Sequence, residues 1–211
     1  MIFHDAATLK RLRAACDRHN VLLILDEIFT GFGRTGSLFA CEQAGIAPDI
    51  MTLSKALTGG TMALAATIAR AHVFEAFLGE EAGKALMHGP TYTGNALACA
   101  AANASLDLFE CEPRLEQAAR IEAQLARELE AARGLPGVRD VRVKGAIGVI
   151  ELEAIADMNR LKRRFIEEGV WIRPFGRIVY TTPPLIMNEA DLARVTGAMV
   201  RAVAAEAAAA R

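Results

Sequence analysis

Five consecutive apolar residues, Val21, Leu22, Leu23, Ile24 and Leu25, run straight into two carboxylates, Asp26 and Glu27. An unbroken apolar run of this length suits a central parallel strand covered on both faces. The acids that stop it then lie at the strand's C-terminal end. Residues 49–53 read as a second strand, followed by Ser54 and Lys55, and residues 62–69 as a third, apolar one. Helical spacing of Leu9, Leu12 and Cys16 predicts a helix over 6–19. Shorter helices are predicted over 37–44, stopped by Gly45, and over 72–78. Residues 79–93 read as a loop, and a long alanine-rich helix is expected over 94–110.

Beyond Pro113 the character changes. A helix to about residue 133 ends at the turn Gly134-Leu135-Pro136-Gly137. Strands are expected over 138–143, 147–152, 170–173 and 177–181. A helix over 158–167 would be capped by Asp157 and stopped by Gly169. A last helix starts near Asn188, with Asp191 three residues on, and runs into an alanine tail expected to fray through Ala210. Residues 1–110 therefore read as an α/β unit with a mostly parallel sheet, and residues 111–211 as a smaller α+β domain.

Composition narrows the function classes. With 211 residues, 53% of them hydrophobic, the chain can bury one large core or two small ones. A net charge of −1 and no basic stripe argue against a nucleic-acid partner. The apolar runs are too short to span a bilayer. The opening residues, Met1 to Asp5, lack a basic region followed by an apolar core, so no secretory leader is expected. Cys16, Cys41, Cys99 and Cys111 form no CxxC pair and no zinc-type spacing with histidine, so no metal is expected. They read as buried, reduced thiols of a cytoplasmic protein.

The chemistry rests on Asp26 and Lys55. If their strands are parallel and adjacent, both side chains emerge at the C-terminal edge, where open α/β sheets bind ligands. One chemistry that needs both is that of pyridoxal 5'-phosphate (PLP). The lysine amine condenses with the cofactor aldehyde, and the carboxylate keeps the pyridine nitrogen protonated. Solvated strand ends remain the plain alternative. A nucleotide-type metal site at Asp26-Glu27 is discounted, because the chain has no GxxxxGK[ST] loop.

At four segments the resemblance to a family becomes specific. Leu25-Asp26-Glu27-Ile28-Phe29-Thr30-Gly31-Phe32-Gly33-Arg34-Thr35-Gly36 resembles the signature of class III aminotransferases, which have the PLP fold type I. Ser54-Lys55-Ala56-Leu57-Thr58-Gly59-Gly60 is similar to that family's lysine segment, and residues 88–100 to the segment that reaches a partner subunit's site. His88-Gly89-Pro90-Thr91 and Trp171-Ile172-Arg173-Pro174-Phe175-Gly176-Arg177 most resemble the biotin-pathway branch. That branch converts 8-amino-7-oxononanoate to 7,8-diaminononanoate, usually with S-adenosylmethionine as amino donor.

The resemblance implies a role for each matching residue. Asp26 would hold the pyridine nitrogen, and Lys55 would carry the cofactor and shuttle the proton. Burial beside a cationic ring would help that amine lose its charge. Thr91, shaped by Gly89 and Pro90, would bind the cofactor phosphate of the other subunit of a homodimer. Arg173 would grip the substrate carboxylate with its planar fork, and Phe175 would pack beside the substrate chain. Plainer roles stand next to these. Thr91 could cap the helix near Gly94, Arg173 could be a surface arginine, and Glu27 with Arg34 could be a loop ion pair of little worth. Trp171, the only tryptophan, reads as core.

Complete members of the family are about twice this length. The resemblance therefore implies a large-domain portion in residues 1–110 that lacks the phosphate loop and the ring-stacking aromatic, and whose sheet keeps an apolar edge. Three readings stay open: the C-terminal half of the biotin-branch enzyme, inactive alone; a generic class III ω-aminotransferase; and a non-catalytic fragment.

Overall fold

The computed structural model describes residues 1–209; Ala210, the end of the expected alanine tail, lies outside them. The chain divides into two compact units. The first gathers His4–Phe32 and Ser37–Pro113; the second gathers Met1–Phe3, Gly33–Gly36 and the residues from Arg114 onward. Among the described residues, no helix is long and apolar enough to cross a membrane.

In the first unit, α1 (Ala6–Arg18) opens on Asp5, whose side chain accepts from the Thr8 amide at 2.6 Å. The strands are β1 (Ile24–Asp26), β2 (Ile50–Leu53) and β3 (Ala66–Ala69), in the order β1-β2-β3. β1 and β2 are parallel, pairing Leu25 with Met51 and Asp26 with Thr52. β3 runs antiparallel to β2. The link explains it. Residues 54–65 hold only a 3-10 turn, Lys55–Thr58, and a loop. Reversing direction needs no more than that, whereas a parallel return needs a long crossover. Two hydroxyls brace the reversal: Ser54 Oγ donates to the Leu64 carbonyl (2.7 Å), and Thr58 Oγ1 to that of Met62 (2.6 Å).

β1 is shorter than its apolar run and is not covered on both faces. Leu23 is 4% exposed, but Ile24 is 58% exposed, and Val21 and Leu22 are also more than half exposed. Among the described residues β1 pairs only with β2, which leaves its other edge open. After α2 (Ala71–Glu75) and an exposed loop, α3 (Ala96–Cys111) packs against the turn that follows β2. Ala102 of α3 joins Phe32, Leu53 and Leu57 in the unit's core, with Phe39 and Phe109 packed around it.

The second unit is built on an antiparallel sheet, β4 (Val138–Val143), β5 (Gly148–Leu152) and β6 (Ile178–Thr181). α4 (Arg114–Leu129), α5 (Met158–Glu167) and α6 (Glu189–Ala209) contribute Leu125, Leu129, Leu161, Phe165, Leu192, Met199 and Val203 to its core. Gly148 allows the close approach of α4 to β5, since a Cβ there would lie 2.7 Å from Leu129 Cδ1. Asp157 caps α5 by accepting from the amides of Asn159 (2.9 Å) and Arg160 (3.0 Å). Asn188 accepts from the Asp191 amide at 2.8 Å, at the start of α6. The strand expected over 170–173 does not form. Pro174 offers no N–H to a ladder, and Phe175 and Ile178 instead exchange two 2.9 Å backbone bonds across a tight turn.

Candidate functional site

The parallel register of β1 and β2 sets Asp26 opposite Thr52, three residues before Lys55. The two side chains therefore leave the sheet at the same C-terminal edge, and both are exposed. Asp26 turns back on its own loop: Oδ1 accepts from the Ile28 amide at 2.9 Å. The Thr52 hydroxyl is buried, with no hydrogen-bond partner among the described residues.

Lys55 sits at φ 46°, the left-handed region that a non-glycine residue rarely occupies. Such a backbone costs about 1–3 kcal/mol and persists where its surroundings over-determine it. Here Leu57 and Thr58 are buried directly after it, and Ser105 Oγ of α3 donates to the Ala56 carbonyl at 3.2 Å. The Lys55 ammonium lies 5.1 Å from the centroid of the Phe29 ring, within cation–π range. Phe29 belongs to the turn that follows Asp26. The acid and the amine thus share one structural support, which motif spacing alone had not exposed.

Glu27 and Arg34 are both held by other groups. Glu27 is 2% exposed and accepts from Thr30 Oγ1 (2.5 Å) and from the amides of Ala40 (3.1 Å) and Cys41 (2.9 Å). Arg34 belongs to the second unit, where its guanidinium donates to the carbonyls of Ala146 (3.1 Å) and Pro183 (2.7 Å). Burial pulls its pKa below the usual arginine value.

Gly89, Pro90 and Thr91 lie on the exposed loop before α3. Thr91 is not the helix cap: Asn95 is, its side chain accepting from the Ala98 amide at 3.0 Å. The Pro90 carbonyl accepts from the Thr93 amide at 2.9 Å, closing a turn around Thr91.

Arg173 and Phe175 belong to the second unit. Residues 171–175 alternate strictly, with Ile172 and Pro174 buried and Trp171, Arg173 and Phe175 exposed. Trp171 is therefore not core but 78% exposed. An alternating pattern with an aromatic at each end of an arginine was the signal in the sequence that could have placed it beside Arg173. Cys111 is likewise exposed, while Cys41 is buried.

Residues 1–203 match the family model described as aminotransferase class-III. The chain is 47% identical over 203 residues to adenosylmethionine-8-amino-7-oxononanoate aminotransferase of Corynebacterium glutamicum, covering 96% of this chain and 48% of that protein. It is 50% identical over 200 residues to the Mycobacterium leprae protein of the same name, covering 95% and 46%. The chain thus spans about half the length of the curated relatives it matches. Among solved structures, the protein of that name from Methanocaldococcus jannaschii superposes with a TM-score of 0.86 at 35% identity, over 94% of this chain and 49% of that one. An ornithine aminotransferase from Toxoplasma gondii, solved with partial occupancy of PLP at its active site, gives 0.83 at 32% identity, over 94% and 46%.

Proposed function

This chain belongs to the class III aminotransferases and has their fold type I architecture; from that premise we propose that it contributes the lysine and carboxylate of a PLP-dependent transamination site. One observation carries the reading: parallel pairing of β1 with β2 brings Asp26 and Lys55 to a common strand-end edge. The residues fit the cofactor. An aldehyde needs a reachable amine, and Lys55 is exposed; a ring nitrogen needs a carboxylate, and Asp26 is exposed at the same strand-end edge.

PLP bound there would supply an electron sink for breaking and remaking bonds to an amine-bearing carbon. Asp26 would hold the ring nitrogen and keep it protonated. Lys55 would hold the cofactor through its aldehyde and would move a proton at Nζ. Thr91, with Gly89 and Pro90 shaping its approach, would contact the phosphate of the cofactor held by the partner subunit of a homodimer. Arg173 pairs the substrate carboxylate, and Phe175 packs beside the carbon chain. The names of the relatives support 8-amino-7-oxononanoate as amino acceptor and S-adenosylmethionine as donor. Turnover with S-adenosylmethionine and none with alanine would support that branch. Turnover with alanine would favour a generic ω-aminotransferase.

The exposure of both site residues favours a second statement: the 211-residue chain alone turns over little or nothing. Charges facing water are screened and cannot act as a preorganised, dry site does. Turnover near that of a complete enzyme would overturn it. The reading itself is tested by the visible absorbance of the chain mixed with PLP, next to its Lys55→Ala variant, followed by borohydride reduction and peptide mapping. A band lost in the variant, with the reduced adduct on Lys55, is expected. Identical spectra from the two proteins would sink the assignment.

A further inference from the structure

One of the site's two reactive groups, Asp26, lies on a short turn, the other, Lys55, rests against that turn's Phe29 ring, and the turn is fixed by a second acid with no assigned role. We propose that Glu27 is the positioning residue of this site: its buried carboxylate clamps the turn over residues 26–31 and so aims both Asp26 and the Phe29 ring that receives Lys55. The proposal rests on the reading of Asp26 and Lys55 given above.

A carboxylate is costly to bury unless hydrogen bonds replace its water. Glu27 is buried to 2% exposure at the end of β1, next to an exposed aspartate. Its main chain continues the sheet, the amide donating to the Thr52 carbonyl at 3.0 Å. Its side chain reaches thirteen and fourteen residues ahead, to the amides of Ala40 and Cys41. Those amides open a 3-10 turn, where N–H groups lack partners within the turn. Thr30 Oγ1 donates to the same carboxylate. The turn is also closed through its backbone, since the Gly31 amide donates to the Glu27 carbonyl at 3.0 Å. A Cβ on Gly31 would lie 2.8 Å from that carbonyl oxygen, so the closure requires glycine.

Two groups lie inside the clamped turn. The Ile28 amide fixes Asp26 Oδ1, and the Phe29 ring faces the Lys55 ammonium. Holding the turn therefore sets where one oxygen of the acid points and where the amine rests. The charge of Glu27 is felt locally as well. The Cys41 thiol is pushed up to about 11, first by burial and then by the glutamate.

The test uses the 211-residue chain, its Glu27→Gln and Asp26→Asn variants, and residue-resolved amide exchange by NMR. Lys55 acylation by acetic anhydride is followed in parallel by mass spectrometry across pH. In Glu27→Gln, the Ala40 and Cys41 amides should exchange roughly tenfold faster. The Ile28 amide should speed up with them, as it does in Asp26→Asn. Lys55 should acylate roughly two- to fivefold faster as its ring contact loosens. Faster exchange at Ala40 and Cys41 with Ile28 and Lys55 unchanged would overturn the proposal and leave Glu27 a local cap. If Glu27→Gln also exposes the amides of β2, Thr30→Val replaces it, removing one donor and leaving the carboxylate. Unchanged Ile28 exchange and Lys55 acylation in Thr30→Val would then overturn the proposal. Absence of a borohydride-trapped PLP adduct on Lys55 in the unmodified chain would count against the cofactor reading alone, because the exchange result does not depend on it.

Discussion

Single residues in the first unit carry tasks that their position in the sequence hides. Asp49 is buried and joins three elements. Its Oδ2 accepts from Arg13 of α1 and from the Leu23 amide, both at 2.7 Å, and His72 of α2 approaches Oδ1 at 3.4 Å. The Arg13 bond first, and the Leu23 amide second, hold this carboxyl below its ordinary range. A lowered carboxyl stabilises the fold above the ordinary carboxylate range and loses that contribution as pH falls through the folded value. Asp49→Ala should cost about 1–3 kcal/mol at neutral pH, by stranding a buried amide and a guanidinium. Asp49→Asn should flatten the acid limb of urea midpoints measured between pH 7 and pH 3; an unaltered limb would remove Asp49 from the account. The thiols give a second check. Cys41 is buried and titrates at about 11, whereas Cys111 is exposed, so alkylation at pH 8 should label Cys111 well before Cys41. Equal labelling rates would contradict the burial. The strand-end positions of Asp26 and Lys55 were legible because acids and amines that end apolar runs leave a pattern in the sequence. Glu27 and Phe29 were not. Whether a loop glutamate is clamped or solvated depends on amides thirteen or more residues away.

Among the elements, capping chemistry transferred well from sequence to structure, and strand pairing did not. Asp157 and the start of α6 at Asn188 were readable because a cap acts on amides two or three residues ahead. Replacing Asp157 by Ala should lower stability by about 0.5–2 kcal/mol, visible as a fall in thermal midpoint with unchanged far-UV spectra. No change in midpoint would mean that α5 is held by its apolar face, through Leu161 and Phe165, and not by its cap. The direction of β3 was not legible, because its apolar composition is the same in either orientation. What decided it was the shortness of the link at 54–65, an argument from chain length. The segment over 170–173 misled for a related reason. Its alternation is real, but it comes from an extended chain lying against a core, with Pro174 barring a ladder bond.

At the scale of the molecule the two units are unequally filled. The second unit encloses Phe165, Leu125, Leu129, Ile150 and Val203 completely, while the core of the first rests on Phe32, Leu53, Leu57 and Ala102. The first unit also leaves Ile24, Ile68, Phe74, Leu86 and Met87 more than half exposed. Native-state exchange should therefore open the amides of β2 at lower free energy than those of β5. Equal protection in the two sheets would refute that ranking. Phe165→Ala should cost about 3–5 kcal/mol and act on β5 before β2. The boundary between the units has a practical corollary for recombining this sequence with a relative's. The chain passes from one unit to the other four times, because Gly33–Gly36 is counted with the residues beyond Arg114. That tetrapeptide fits against Gly145, where any added Cβ would come within 2.4 Å of the Thr35 carbonyl carbon. A chimaera joined once at 113/114 would inherit the tetrapeptide from one parent and its seat from the other. Grafts of this family's halves should therefore transplant Arg34, Thr35, Gly36 and Gly145 as a matched set.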